Sequence, residues 1–390
     1  LLVPAGAATD AAISSLAALA QDGDVLIDCG NSDFHDTRRR TAELEARGLC
    51  FLGVGVSGGA EGARHGPAMM AGGSAAIWDR VEPMLTAIAA RYGAAACADW
   101  LGPDGAGHFV KTVHNGIEYA DMQMIAEIYG LMRDGLGWED AAVAETFGAW
   151  AEGPLASYLV EITAEVAGTI DADTGQPMLQ VIADRAGQKG TGRWSVIEAH
   201  KLGAVASTIE AAVGARNLSA ATGLRRDLSD QATATQVHLT SEQLHDALHA
   251  GKIIAYAQGF DLLRRASDEF GWDLDLASVA RVWRAGCIIR SAMLDDLAEA
   301  FGETPQRSLL AAPEFRMVLE SVFPGLRQSV SQAALSGLPV PALANALAYL
   351  DQLRQPRGTA NLLQGLRDLF GQHGFERTDR EGSGFHGPWV

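Results

Sequence analysis

The hydrophobic pattern of this 390-residue chain changes once, at about residue 105. Before that point, short apolar runs alternate with segments of helical spacing, which is typical of parallel βαβ units with helices on both faces of a sheet. After it, amphipathic helices rich in Ala and Leu continue to about residue 354. The pattern therefore predicts an α/β region followed by an all-α region. The predicted strands are residues 1–4, 25–29 and 51–56, and the predicted helices between and after them are about 8–20, 35–47 and 75–91.

The length of the chain also favours more than one domain. We predict an α/β domain at residues 1–105, a helical domain at 106–355 and a C-terminal tail at 356–390. The tail has little apolar periodicity, yet it carries aromatic residues that would be costly to leave in water. We therefore expect it to dock on another surface.

Charge and cysteine content narrow the classes of function. Thirty Lys and Arg against 48 Asp and Glu give a net charge of −18, which argues against binding to nucleic acid and to an anionic membrane surface. The four cysteines are scattered, so we expect reduced thiols, a cytoplasmic protein and no metal site. We find neither a long apolar run nor a charged-then-apolar leader, and we expect no membrane span and no secretory signal.

Two loops follow predicted strands, where open α/β sheets bind ligands. The first runs from Asp28 to Ser32 and contains Asn31; the second contains Ser57, Gly58 and Gly59. Paired glycines allow backbone N–H groups to approach a carboxylate or a phosphate closely. Each loop taken alone is also compatible with an ordinary turn.

The segment 107–119 carries the strongest chemical signal. Lys111, His114, Asn115 and Glu118 have the spacing i, i+3, i+4 and i+7, which places them on one face of a helix. A solvated face would explain the Lys and the Glu, but not Gly116 in mid-helix, which costs about 1 kcal/mol relative to Ala. A Lys and a Glu two turns apart can act as base and acid on neighbouring carbons of one substrate.

Further residues suit a phosphate monoester, because lysines, arginines and hydroxyls bind phosphate oxygens. Each of them alone has an ordinary structural explanation, such as a helix cap or a surface ion pair. They are Lys189, Thr191, Arg290, Arg367 and His373.

Together these motifs resemble the decarboxylating 6-phosphogluconate dehydrogenase family. The resemblance covers the chain in order, and its motifs are Asp28-x-Gly-Asn-Ser, Val56-Ser-Gly-Gly-x-Glu-Gly-Ala-Arg, the segment from Lys111 through Gln123, Lys189-Gly-Thr-Gly, Ile288-Ile-Arg-Ser and Arg367-Asp-x-Phe-Gly-x-His. It implies a partial Rossmann-like parallel sheet with a large helical domain that binds substrate and forms a homodimer. It also implies a role in the pentose phosphate pathway and in gluconate utilisation.

The resemblance implies the role of each residue. Lys111 is the base for the 3-hydroxyl while hydride passes from C3 to NADP, and Glu118 protonates C1 of the enediol that remains after loss of CO2. No metal is needed. Asn31, His114 and Asn115 would hold sugar hydroxyls, and Ser57, Gly58 and Gly59 the carboxylate end. The implied phosphate ligands are Tyr119, Lys189, Thr191 and Arg290, with Arg367 and His373 from the partner subunit's tail.

The sequence departs from the family pattern at its start. We find no glycine-rich strand-turn-helix for the dinucleotide phosphates, and we expect about 70 residues to be missing before Leu1. Val3 and Asn31 would then form the remaining rim of the NADP site, and we expect tighter binding of 6-phosphogluconate than of NADP.

Two alternatives stay open. One is a β-hydroxyacid dehydrogenase of the hydroxyisobutyrate type, which shares Ser-Gly-Gly and a catalytic Lys with an Asn four residues on. The other is a catalytically silent truncated form that only binds the sugar phosphate.

Overall fold

The computed structural model describes residues 1–229 and 236–389. The chain forms two compact units, Leu1–Leu347 and Ala348–Val390. The first contains an α/β part followed by a part built almost wholly from helices, which confirms the predicted fold class. The predicted domain boundaries after residues 105 and 355 stay predictions.

The α/β part is a four-stranded sheet in the order β1-β2-β3-β6, with a separate two-stranded ribbon of β4 and β5. Successive side chains of β2 point to opposite faces of the sheet and pack into two apolar clusters. Phe51 packs with Ile13 and Leu44 on one face, and Leu52 packs with Trp78 on the other. The strands are β1 (Val25–Asp28), β2 (Cys50–Ser57), β3 (Ala68–Gly73), β4 (Arg91–Tyr92), β5 (Ala95–Ala96) and β6 (Ala98–Trp100), and the helices are α1 (Ala7–Ala17), α2 (Phe34–Glu45), α3 (Gly59–His65) and α4 (Ala75–Ile88).

The sheet is mixed, whereas the sequence pattern predicts a parallel one. β1 and β2 are parallel and so are β3 and β6, but β2 and β3 are antiparallel. The connection between β2 and β3 spans residues 58–67 and is shorter than the roughly dozen residues that a parallel crossover needs. The pattern also missed β3, because its sequence Ala-Met-Met-Ala-Gly-Gly has no β-branched residue.

The predicted strand at residues 1–4 is wrong, because the first regular element of the chain is α1. Leu1 does pair like a strand residue: its terminal nitrogen donates to the oxygen of Ile27 at 2.6 Å, and its oxygen accepts from the nitrogen of Cys29 at 2.8 Å. Pro4 has no N–H to continue such a ladder, and the chain turns into α1.

The helical part begins with α5, which is 25 residues long and ends in a single π-helical turn, Leu131–Gly135. α12 is 30 residues long and packs against both α5 and α15. The helices are α5 (Ala106–Gly130), α6 (Asp140–Trp150), α7 (Tyr158–Gly168), α8 (Met178–Val181), α9 (Thr191–Lys201), α10 (Ser207–Ala220), α11 (Thr222–Leu228), α12 (Ser241–Phe270), α13 (Leu276–Val282), α14 (Met293–Glu303), α15 (Pro313–Leu335), α16 (Pro341–Leu353) and α17 (Ala360–Gly371), with a 3₁₀ turn at Leu309–Ala311. None of the helices in the described ranges is long and apolar enough to cross a membrane.

Two glycines let α5 lie directly on the sheet. A Cβ atom on Gly107 would lie 2.3 Å from the oxygen of Met70 in β3, and one on Gly55 would lie 2.4 Å from Cβ of Lys111. Real Cβ atoms do not approach so closely, so any side chain at either position would push the helix away. The start of α5 is therefore fixed beside the end of β2.

The second unit is organised around Asp368 of α17. This buried carboxylate accepts hydrogen bonds from Nδ1 of His386 at 2.7 Å, Nε1 of Trp389 at 2.6 Å and the nitrogens of Gly374 and Gly387 at 2.9 Å. Burial alone would raise the pKa of Asp368, but these hydrogen bonds hold it well below its usual range. The tail thus has an internal polar centre that its sequence does not reveal.

Candidate active site

Lys111 lies at the centre of a buried polar cluster on α5. Its Nζ donates to Oδ1 of Asn115 at 2.5 Å and lies 3.3 Å from Nδ1 of His114. Only 6% of the residue is exposed. Burial lowers the pKa of Lys111 from 10.5 to about 8, against the opposing effect of the Glu118 carboxylate. A substantial fraction of this amine is therefore neutral at mildly alkaline pH and able to accept a proton.

His114 connects Lys111 to the loop after β2. Its Nε2 lies 3.1 Å from Oγ of Ser57, and that oxygen also accepts from the nitrogen of Ile288 at 3.4 Å. Burial and the charge of Lys111 push the pKa of His114 well below its usual value, so the ring is neutral. A neutral ring that accepts from Lys111 at Nδ1 carries its proton on Nε2 and donates it to Ser57.

Glu118 stands at the open end of the cluster, with 21% of its side chain exposed. Its Oε2 lies 3.7 Å from Nδ1 of His114. Burial raises the pKa of Glu118, while the positive charges of Lys111 and Arg216 partly oppose the shift. The site therefore combines an amine whose pKa is lowered with a carboxyl whose pKa is raised, which is the arrangement that acid–base catalysis requires.

The glycine in mid-helix has a packing reason. A Cβ atom on Gly116 would lie 2.7 Å from Oγ of Ser195 in α9, and that hydroxyl donates to the oxygen of Thr112 at 2.6 Å. A side chain at position 116 would separate α9 from α5. Because α9 begins at Thr191, this contact also fixes the position of the Lys189–Thr191 segment.

Tyr119 lies between α9 and α10. A Cβ atom on Gly192 of α9 would lie 2.5 Å from Cδ2 of the Tyr119 ring. The guanidinium of Arg216, which belongs to α10, lies 3.5 Å from the centroid of the same ring. Nη2 of Arg216 donates to Sδ of Met122 at 3.5 Å, and within residues 1–229 and 236–389 Arg216 makes no ion pair with a carboxylate within 4 Å. Its guanidinium is therefore available to an anionic ligand beside Tyr119 and the buried Thr191.

Sequence reasoning missed Arg216. It is the single Lys or Arg of α10, in a helix otherwise made largely of small and apolar residues. An isolated cation on such a helix is a weak signal, because a surface ion pair would explain it equally well. Its relation to Tyr119 depends on the packing of α10 against α5, which the sequence pattern does not specify.

The predicted loop at Asp28–Ser32 is held by its first residue. The Asp28 carboxylate is fully buried and accepts from the nitrogen of Gly30 at 2.9 Å and from Oγ of Ser32 at 2.6 Å. Asn31 is left exposed at the carboxyl end of β1, with the half-buried Val3 nearby in the same turn region. An exposed amide at the carboxyl end of a strand lies where open α/β sheets bind ligands.

Ser57 and the two glycines after it form a tight turn. Gly58 and Gly59 have φ angles of 136° and 60°, which favour glycine, and a Cβ atom on Gly58 would lie 2.5 Å from the oxygen of Gly286. The turn joins β2 to α3 and places Ser57 against His114 of α5.

The remaining predicted phosphate ligands have different surroundings. Lys189 is exposed just before α9. Arg290 donates to the oxygen of Cys287 at 3.0 Å and stacks over the ring of Tyr158 at 3.6 Å, in a separate cavity of about 290 Å³. In the second unit, Arg367 donates to Oε1 of Gln364 at 3.0 Å, and His373 packs edge-on against Phe370.

Comparison with known families accounts for nearly the whole chain. Residues 1–102 match the NAD binding domain of 6-phosphogluconate dehydrogenase, and residues 107–389 match the C-terminal domain of 6-phosphogluconate dehydrogenase. The match to the first model begins at residue 1 of this chain.

Individual relatives agree with the family models. The decarboxylating 6-phosphogluconate dehydrogenase of Schizosaccharomyces pombe is 47% identical over 96% of this chain and 78% of its own length. The NADP(+)-dependent decarboxylating enzyme of Bacillus subtilis is 44% identical over 100% of this chain and 85% of its own length. A structure of Plasmodium falciparum 6-phosphogluconate dehydrogenase superimposes with a TM-score of 0.95 at 38% identity, covering 100% of this chain and 85% of that one.

The chain belongs to the decarboxylating 6-phosphogluconate dehydrogenase family. The resemblance predicted from the motifs is confirmed, and neither the hydroxyisobutyrate-type alternative nor the silent form is favoured.

Proposed function

We propose that this chain oxidises and decarboxylates 6-phosphogluconate to ribulose 5-phosphate and CO2 with reduction of NADP. The observation that carries the proposal is the pairing of Lys111 and Glu118 on one face of α5, with pKa values displaced in opposite senses. The solved relative from P. falciparum is described with NADP+ and with 6-phosphogluconate, and a B. subtilis relative as NADP(+)-dependent, which supports the choice of substrate and acceptor.

The first step needs a neutral Lys111. Its Nζ accepts the proton of the C3 hydroxyl as the C–H bond at C3 breaks. NADP, when bound, would supply the acceptor for the hydride. Asn115 holds Nζ through Oδ1, which leaves its amide nitrogen free to donate to a substrate hydroxyl. The products of this step are a 3-keto acid and a protonated Lys111.

Loss of CO2 then uses the new carbonyl. The electron pair of the bond to the carboxylate moves toward the C3 oxygen, and Lys111 returns its proton to that oxygen, giving an enediol. Glu118 donates a proton to the carbon that becomes C1 of ribulose 5-phosphate, while Lys111 takes the hydroxyl proton back. Burial raises the pKa of Glu118, which favours the protonated form that this step uses.

The substrate would lie along α5 with its carboxylate toward β2. Ser57, Gly58 and Gly59 supply a hydroxyl and backbone N–H groups at that end. Asn31 would hold a sugar hydroxyl, and Val3 with Asn31 would line the NADP side of the reacting carbon. The contact of His114 with a sugar hydroxyl stays a prediction, because the ring is buried and its two nitrogens already face Lys111 and Ser57.

The phosphate would lie at the other end, beside Tyr119. Thr191 and Arg216 supply a hydroxyl and a guanidinium there, and Lys189 adds an exposed positive charge. Of the two candidate arginines, Arg216 is favoured for this role because it lies over Tyr119, whereas Arg290 lies over Tyr158. The phosphate role of Arg290 stays a prediction.

We further propose a homodimer in which the tail of each subunit completes the site of the other. α17 leaves Leu362, Leu363 and Phe370 exposed by 66%, 63% and 74%, an apolar face that a second subunit would cover. Such docking can deliver Arg367 and His373 to the phosphate.

The cellular setting is proposed on chemical grounds. All four cysteines are free thiols, which suits the reducing cytoplasm. The products, ribulose 5-phosphate and NADPH, place the reaction in the pentose phosphate pathway and in the utilisation of gluconate.

Product analysis tests the proposal. The purified chain is incubated with NADP and 6-phosphogluconate labelled with ¹³C at C1, and NADPH, CO2 and ribulose 5-phosphate are quantified. We expect all three in equal amounts, with the label in CO2. Formation of NADPH without labelled CO2 would contradict decarboxylation.

A further inference from the structure

The proposed chemistry makes no use of His108, which lies one helical turn before Lys111 on α5. The residue is 1% exposed, and Nδ1 of its ring lies 2.7 Å from Oγ1 of Thr37 in α2. A polar ring buried so close to the reacting groups needs a physical reason, because an apolar residue would fill the space at lower desolvation cost.

Thr37 links His108 to the loop that presents Asn31. Besides meeting the ring, Oγ1 of Thr37 donates to the oxygen of Asp33 at 3.2 Å. Asp33 caps the start of α2 by accepting from the nitrogen of His35 at 2.8 Å, and it follows Asn31 by two residues. Oγ1 of Thr37 therefore bridges the His108 ring and the oxygen of Asp33.

The His108 ring and Thr37 both lie directly against Gly53 of β2. A Cβ atom on Gly53 of β2 would lie 2.8 Å from Nδ1 of His108 and 2.7 Å from Cγ2 of Thr37. The backbone of Gly30 lies close to the ring on the side of the Asn31 loop. Burial lowers the pKa of His108, with the Asp28 carboxylate opposing, so the ring is neutral and keeps one donor.

We infer that His108 is a positioning residue that fixes the Asn31 loop relative to Lys111 through its hydrogen bond to Thr37. The inference rests on the proposed function, in which Asn31 and Lys111 act on the same substrate from β1 and from α5. A loop released from this contact would still fold, but it would hold the substrate and the nicotinamide less accurately over the base. A misplacement of about 1 Å can lower the rate on the order of 100-fold.

The decisive variants change Thr37. Thr37→Val keeps the shape and removes the hydroxyl, whereas Thr37→Ser keeps the hydroxyl. We expect Thr37→Val to lower kcat/KM for 6-phosphogluconate by about 10- to 100-fold, and Thr37→Ser to stay within about threefold of the wild type. With substrate deuterated at C3, the isotope effect on kcat should rise in Thr37→Val, because hydride transfer becomes slower than product release.

Two further variants separate positioning from general destabilisation. Thr41→Val makes the same substitution one turn along α2, where the hydroxyl donates to the oxygen of Thr37 at 2.9 Å, and it should leave the kinetics unchanged. His108→Leu should resemble Thr37→Val, and the double variant should be no slower than His108→Leu alone, because both changes break one link. Thermal unfolding midpoints of all variants, measured in parallel, show whether each one is folded. If His108→Leu is unfolded, the comparison of Thr37→Val with Thr37→Ser tests the inference by itself.

A Thr37→Val enzyme with wild-type kcat/KM and isotope effect would overturn the inference, and so would additive losses in the double variant. A wild type that makes no NADPH from 6-phosphogluconate would instead contradict the proposed function, so the two failures are distinguishable.

Discussion

Nζ of Lys111 lies 2.5 Å from Oδ1 of Asn115, one helical turn further along α5. The contact directs the amine toward the open end of the cluster, where Glu118 stands, while burial lowers the pKa of the amine. Base, orienting amide and acid thus come from a single rigid helix, whose position against the sheet is fixed by the close approach of Gly55 to Lys111.

The rate should depend on the ionisation of Lys111. Its pKa is lowered to about 8, so below that pH the amine is protonated in the folded protein and cannot accept the C3 hydroxyl proton. We expect kcat/KM to fall by about tenfold for each pH unit below this value and to level off above it. The measurement is kcat/KM as a function of pH from about pH 6 to about pH 10. A transition near the usual pKa of lysine would contradict the role of Lys111 as a buried base.

Glu118→Gln should separate the two halves of the reaction. The amide cannot protonate carbon, so formation of ribulose 5-phosphate should slow far more than the first burst of NADPH. The Glu118 carboxylate raises the pKa of Lys111, so its removal should lower that pKa. The pH at which the rate of hydride transfer reaches half its maximum should then be lower in Glu118→Gln. Stopped-flow absorbance and product analysis measure the two steps, and equal slowing of both would refute the assignment of Glu118 as the acid.

Gly192→Ala should weaken binding of the phosphate end. The added Cβ would lie 2.5 Å from the ring of Tyr119, so the ring must shift relative to Arg216. We expect KM for 6-phosphogluconate to rise by about tenfold with a smaller change in kcat. The control is Gly302→Ala in α14, where the new methyl group meets no atom within 4 Å. That variant should leave KM unchanged, and an equal effect of both substitutions would argue against the proposed phosphate site.

Mixing subunits tests the shared site. Arg367→Ala and Lys111→Met subunits should each be nearly inactive, but a mixed dimer has one site with both lesions and one with neither. We expect activity to reappear on mixing, up to about a quarter of the wild-type value when hybrids form at random. Exchange is verified with differently tagged subunits; inactivity of proven hybrids would favour a tail that serves its own chain.

The cluster on α5 could be predicted from the sequence because helical geometry determines which side chains share a face. Spacing alone places Lys111, Asn115 and Glu118 together, and the structure shows the contacts. The antiparallel β3 could not be predicted in the same way, since its small and flexible residues give no strand pattern. Arg216 joins Tyr119 through packing between helices distant in sequence, and one sequence contains no signal for such a contact.

The most direct test of the account replaces the base itself. Lys111→Met keeps an unbranched side chain of similar length but cannot accept a proton. A base acts mainly in the transition state, so its loss should affect the rate far more than the binding of substrate. Single-turnover formation of NADPH and calorimetric binding of 6-phosphogluconate are measured on the same preparation. We predict that NADPH formation is abolished while the dissociation constant changes by less than about tenfold. Turnover near the wild-type rate in Lys111→Met would contradict the role of Lys111 and with it the proposed mechanism.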